Sequence, residues 1–285
     1  MSLTFSACSE EHVTYDGPDF VMFADSVQTL PVVDNDSVFD IVVSAAHAVG
    51  YDRTMAVELL ADRSNAIRGY HFDLLNQTLK IPAGQLTAKV QVRGYHDHLE
   101  LSDSLGFVLR LLPGTNGTSS LYGTETRVML EKAKRFDLQD FVGYAVVQSS
   151  WILNYMPAIG SRLIRVEADP EVKNRLILRD LYYKGYDVKV DLTDNDIRNP
   201  LLHFDTQVFA PTTEAFGTVY GNGKIMMDEN LANVSYYSSL ERYLWFYSDL
   251  YVENVGTVGT FVHLVAFISD DQAEQMIKEG VDHSF

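Results

Sequence analysis

The chain has 285 residues, 46 % of them apolar and 12 % aromatic, enough for one or two domains with a sizeable core. Its formal net charge of −17, carried by acids scattered along the chain, repels phosphate backbones and argues against nucleic acid as a partner. The single cysteine excludes an internal disulfide, and no run approaches the roughly 18 uninterrupted apolar residues of a membrane-spanning helix.

The first feature in chain order is Cys8, preceded by Phe5-Ser6-Ala7. A lone cysteine is ordinarily a small buried hydrophobe. This one follows a small residue and an apolar patch, and so resembles the lipobox of bacterial lipoproteins, with Phe5 in place of the usual leucine. Seven residues are too few for a complete signal, which needs a basic start and an apolar run of roughly 7–15 residues; a truncated precursor or a late start is the expectation. Ser9-Glu10-Glu11 behind the cysteine resembles the export signal of Bacteroidetes-type outer-membrane lipoproteins. The resemblance implies lipidation at Cys8, an outer-membrane location on the extracellular face, and a tether over residues 1–18. Membrane contact is then through the lipid anchor only.

Apolar residues alternate through FDIVVSAA (39–46), TMAVELL (54–60), Val90 and Val92, GFVLRLL (106–112) and TRVML (126–130). Period two marks half-buried antiparallel strands. Turn chemistry separates them at DND (34–36), HAVGYD (47–52), PAG (82–84) and PGTNG (113–117). Short strands at this spacing predict a sandwich. The charged stretch EKAKRFDLQD (131–140) reads as a boundary.

Beyond it, VGYAVVQSSWILNYM, SRLIRVEAD, NRLILRDLYY, YDVKVDL, GTVYGNGKIMM and GTFVHLVAFI all read as strands. DDQAEQMIKEG reads as a short helix, with Asp270 as N-cap and Gly280 beyond its end. SSLERYLWFYSDLYVENVG (238–256) fits two templates. Leu240, Tyr243, Leu244, Tyr247, Leu250 and Tyr251 make a helical stripe, and Ser238 with Glu241 makes a capping box. The density of β-forming aromatics favours a strand. As a strand it would place Tyr243, Trp245 and Tyr247 on one face and Leu244 and Phe246 on the other.

Within the first half, Ala66, Gly69, Tyr70 and Phe72, then Ile81, Pro82 and Gly84, then Asp97 and Glu100 ahead of Phe107-Val108-Leu109, follow the order of signatures in the Calx-β domain. The resemblance covers roughly residues 19–131 and implies a seven-stranded, immunoglobulin-like sandwich. Gly69 is then free to take φ > 0, and Pro82-Ala83-Gly84 makes a hairpin-like turn. Two departures argue against the calcium binding known in that family: His71 stands where an aspartate is usual, and the last strand, ETRVMLE, runs into KAKR instead of an acidic run. The second half resembles, more loosely, β-rich C-terminal domains of Bacteroidetes-type surface lipoproteins of unknown function. The chain as a whole therefore reads as all-β: a Calx-β-like sandwich over residues 19–131, then a second β-sandwich or barrel over 138–285 with a short C-terminal helix.

His96-Asp97-His98-Leu99-Glu100 is the metal candidate. On a strand, i, i+2 and i+4 share a face, so His96, His98 and Glu100 could converge on zinc or iron; the plainer reading is a solvated acidic loop. G-x-S-x-G, H-E-x-x-H, P-loop and G-x-G-x-x-G motifs are absent, and no cofactor is expected. The aromatic groups at Trp151 and Tyr155, at Tyr182, Tyr183 and Tyr186, at Tyr236 and Tyr237, and at Tyr243, Trp245 and Tyr247 are sheet core or a platform for stacking sugar rings. The leading function is a surface binding or scaffolding module without catalysis of its own, with a glycan or another surface lipoprotein as partner. The alternatives are a metal-dependent or glycosidic hydrolase using His96, His98 and Glu100, and a structural subunit of a surface assembly.

Overall fold

A computed structural model describes residues 17, 19–102, 104–112, 114 and 123–285; Cys8 lies outside the described residues. The chain divides into two compact units, one running through Lys132 and one from Ala133 to Phe285.

In the first unit the strands are β1 (Val21–Phe23), β2 (Val27–Val32), β3 (Val38–Ala45), β4 (Arg53–Leu59), β5 (Phe72–Leu74), β6 (Thr78–Ile81), β7 (Thr87–Gly94), β8 (Leu105–Leu112) and β9 (Glu125–Lys132). They form two sheets, ordered β1-β3-β7-β5 and β2-β9-β8-β4-β6. Every second residue faces the space between the sheets, so Ile41, Val43, Val90 and Val92 of one meet Val57, Leu109 and Val128 of the other in one core cluster. Phe72 and Phe107 stack there, with centroids 3.9 Å apart. This is the two-sheet sandwich the Calx-β resemblance implied, with nine described strands in place of seven.

The signature residues have local reasons. Gly69 takes φ +80° and donates to the Phe72 carbonyl. His71 accepts the Ile67 N–H through Nδ1 at 2.9 Å, the acceptor task an aspartate could also perform. Gly84 takes φ +78°, but PAG makes no hairpin: the strands it joins, β6 and β7, lie in different sheets, so the turn is a crossover between layers.

The second unit holds β10 (Gly143–Ser149), β11 (Arg162–Ala168), β12 (Arg175–Leu178), β13 (Val188–Leu192), β14 (Leu202–His203), β15 (Gln207–Pro211), β16 (Lys224–Glu229), β17 (Tyr236–Ser238), β18 (Tyr243–Val252), β19 (Gly256–Phe267) and β20 (Asp282–His283). They make one sheet ordered β14-β13-β12-β11-β10-β19-β18-β16-β15, with β17 beside β18 and β20 beside β11. The sheet curls until its ends meet. The Gln207 side chain at the β15 end accepts from the Lys189 N–H at 2.8 Å and donates to the Lys189 carbonyl at 2.9 Å, standing in for the missing ladder to β13. Leu201 bridges Tyr236 on the same seam. A curled sheet buries its concave face, and Val147, Ile164, Leu178, Val190, Phe209, Phe246 and Val265 share the core there.

Two expected strands are corrected. SSWILNYM is not a continuation of β10: Ser149 accepts from the Ile152 N–H at 3.1 Å and caps the helix α1 (Ser150–Tyr155). GTVYGNGKIMM begins as a loop after the helix α2 (Thr212–Phe216), and only Lys224 onward is strand. The C-terminal helix α3 (Asp270–Lys278) is present, but its N-cap is Ser269 in a capping box with Gln272, one residue earlier than expected; Gly280, just past its end, has φ +80°. Among the described residues no helix is long and apolar enough to cross a membrane.

Candidate functional site

Residues 238–242 do not begin a helix. The Ser238 hydroxyl accepts from the Glu241 N–H at 3.1 Å, as a capping box would, but Arg242 takes φ 58° and turns the chain into β18. From there burial alternates without a break. Leu244, Phe246, Ser248, Leu250 and Val252 point into the core, while Tyr243, Trp245, Tyr247, Asp249 and Tyr251 remain half-buried on the opposite face.

Pairing extends that outer face. Tyr236 of β17 stands opposite Trp245, and directly paired residues project to the same side. On the other flank Leu264 pairs with Trp245 and Val262 with Tyr247, both half-buried. The rings sit edge to face: Trp245 on Tyr247 at 6.3 Å, Tyr243 on Tyr236 at 6.1 Å. The result is an apolar floor bearing phenol and indole groups. Partial burial and a bond to Tyr236 push the Tyr243 phenol up to about 12. Partial burial and the nearby Asp228 and Glu253 also raise Tyr251. These hydroxyls stay protonated at neutral pH and can both donate and accept.

The floor ends in carboxylates. Asp249 lies between Tyr247 and Tyr251 on the outer face and is directly opposite Asp228 of β16. Asp249 accepts from the Asn230 amide at 2.9 and 3.0 Å and from the Thr260 hydroxyl at 2.5 Å. Asp228 accepts from the Thr206 hydroxyl at 2.6 Å. Sequence reasoning singled out Tyr243, Trp245 and Tyr247, counted Tyr236 among the aromatics without placing it beside them, and missed Asp228, Asp249 and Tyr251. The same period-two count, carried four residues further along β18, would have reached Asp249 and Tyr251; Tyr236 and Asp228 depend on register, which one strand cannot show.

Trp151 is a correction. It is 0 % exposed, packed against Phe209 at 4.9 Å and Phe261 at 5.2 Å, so it plugs one end of the curled sheet and cannot touch a ligand. Tyr155 stacks on it at 4.2 Å and is 37 % exposed, on α1 rather than on the β18 face.

The metal candidate is also corrected. His96–His98 form a single 3-10 turn, where i and i+2 diverge instead of sharing a strand face. The His98 ring stacks on Tyr70 at 4.1 Å, with its Nδ1 2.6 Å from the Tyr70 carbonyl. His96 faces Asp97 at 3.5 Å. Neither these residues with Glu100 nor any other described group of three His, Cys, Asp or Glu is arranged to hold a metal ion.

Behind the aromatic face lies a polar chain that the sequence did not flag. His263 is fully buried, with Nδ1 2.6 Å from the Tyr182 hydroxyl and Nε2 2.8 Å from the Ser248 hydroxyl. A serine beside an imidazole is the contact of an activated nucleophile, but Ser248 and His263 are both 0 % exposed and no substrate reaches them. Burial pushes the imidazole down to about 3, so it is neutral, with one nitrogen donating and one accepting. The chain satisfies polar groups inside the core.

A family model described as Domain of unknown function (DUF4984) matches residues 121–279, more than half of the chain. No curated protein matches the sequence. Among solved structures the chain is similar to the apo form of the Calx CBD1 domain (17 % identity, TM-score 0.36, covering 41 % of this chain and 100 % of that one). It is also similar to a protein of unknown function from Bacteroides ovatus (12 %, 0.35, 87 % and 89 %), and to an auxiliary nutrient binding protein from Bacteroides thetaiotaomicron (11 %, 0.32, 85 % and 91 %).

Proposed function

The chain belongs to the family described as Domain of unknown function (DUF4984), and we propose that it is a binding module whose second unit holds a glycan on the outer face of β18. The observation that supports this is the one-sidedness of the strand. Leu244 and Phe246 supply the core contact, which leaves Tyr243, Trp245 and Tyr247, joined by Tyr236, as a half-buried row outside the core cluster. Sugar rings have apolar faces and polar rims. An aromatic row fringed by hydroxyls and carboxylates offers stacking to the one and hydrogen bonds to the other.

The module is carried at the cell surface by a lipid on Cys8, a reading supported by the order Ala7-Cys8-Ser9-Glu10-Glu11. Palmitate labelling of the full-length precursor in cells should disappear in Cys8→Ser; equal labelling of the variant would remove the anchor from the proposal.

Binding is tested by titrating the protein with a panel of soluble polysaccharides in a calorimeter. Stacking on one indole contributes on the order of 1 kcal/mol beyond burial, so Trp245→Ala should weaken binding roughly tenfold while the circular dichroism spectrum is retained. Loss of the fold in that variant would mean that Trp245 is core, and the platform would fail.

A further inference from the structure

The paired aspartates limit what the aromatic face can hold, an inference that rests on the reading of that face as a glycan platform. Asp228 and Asp249 are register partners on neighbouring strands, a placement in which like charges repel and destabilise the pairing. Here the donors are neutral: Thr206 and the Tyr251 hydroxyl to Asp228, and Thr260 and the Asn230 amide to Asp249. Among the described residues neither carboxylate forms an ion pair with Lys, Arg or His. Both stand at the end of the row formed by Tyr243, Trp245 and Tyr247, in a chain of net charge −17.

A carboxylate offers about four lone-pair positions, and the donors named above leave room at both groups. Hydroxyl groups of a ligand can donate to them. A second carboxylate or a sulfate can only repel them, and the cation on the same face of β16, Lys224, stands four residues along the strand from Asp228. We infer that the platform takes uncharged sugar chains and that Asp228 and Asp249 reject acidic ones, such as chains built of uronic acids.

The test uses one polymer in two charge states. The neutral polysaccharide that binds best is compared with the same polymer after oxidation of its primary alcohols to carboxylates, using the full chain at low salt. The neutral form should bind at least about tenfold more tightly, and the gap should narrow at about 1 M salt, where the screening length falls to about 3 Å. The double variant Asp228→Asn, Asp249→Asn should bind the oxidised form better and bring the two forms within about threefold of each other. If the variant does not fold, the salt dependence of the unaltered protein decides the matter. Equal binding of both forms, with Trp245 dependence intact, overturns this inference and leaves the platform standing. A gap that salt does not change, or that survives in a folded double variant, also overturns it. Absence of Trp245-dependent binding to any neutral chain removes the platform and this inference together.

Discussion

Trp151 is packed beneath Phe209 and Phe261, whereas Trp245 stands half-exposed between Tyr243 and Tyr247. Removing a fully buried indole leaves a cavity that the neighbours fill only in part, so Trp151→Ala should cost about 3–5 kcal/mol. Urea denaturation of the full chain reads this directly; a cost below about 1 kcal/mol would mean that Trp151 is not a core plug. His263 gives a pH signature. Its folded value, near 3, lies far below the ordinary imidazole value of 6.5, so between those limits the unfolded chain binds a proton that the folded chain refuses. Stability should therefore fall as pH is lowered from about 6.5 toward 3. The slope should be shallower in His263→Gln, which cannot titrate; an identical slope would mean that other groups account for it. Neither residue's task was legible in the sequence. Trp151 follows a strand pattern by one residue, and only the Ser149 bond to Ile152 reveals that the chain has already turned into a helix. His263 occupies an apolar position of β19, and its partners lie 15 and 81 residues away.

At the scale of elements, β18 carries the strongest expectation. Alanine substitutions along it should alternate: about 2–5 kcal/mol at Leu244, Phe246 and Leu250, and within about 1 kcal/mol at Tyr243 and Tyr247. A repeat of three to four residues in those costs would point to a helix instead. The strand was legible because its aromatic density outweighed a helical stripe, and because Ser238 and Glu241 mark a turn as readily as a helix start. The residues of the outer face were legible only in part, since one strand's alternation says which residues share a side but not which neighbours join them. The 3-10 turn at His96 shows the opposite failure: i, i+2 spacing has meaning only once the strand is real. α3 offers a smaller test. Ser269→Ala removes the hydroxyl half of the capping box, leaving the Ser269 N–H bond to Gln272, and should destabilise the helix by about 1 kcal/mol, seen as faster amide exchange at Gln272; unchanged exchange would contradict the cap.

For the whole molecule, the alternating patterns made the all-β class and a sandwich in the first half readable, whereas for the second half they left sandwich and barrel open. Closure of the second sheet depends on Gln207 reaching Lys189 and on Leu201 meeting Tyr236, contacts that no local pattern encodes. Because that sheet buries its own core cluster, residues 133–285 expressed alone should unfold in one cooperative transition; a molten fragment would show that its core is incomplete. Calcium should leave the melting of the first unit unchanged, since β9 runs into Lys132 and Ala133-Lys134-Arg135 where an acidic run would be needed. A tight calorimetric calcium site there would contradict that expectation.

The platform itself can be read optically, because the chain contains two tryptophans and Trp151 is sealed in the core. Tryptophan fluorescence is followed while the full chain is titrated with a neutral polysaccharide. The expected result is a saturable change in emission that vanishes in Trp245→Phe, with the remaining Trp151 signal flat. A saturable change that persists unaltered in Trp245→Phe, or no response to any neutral chain, would contradict the assignment of β18 as the binding face.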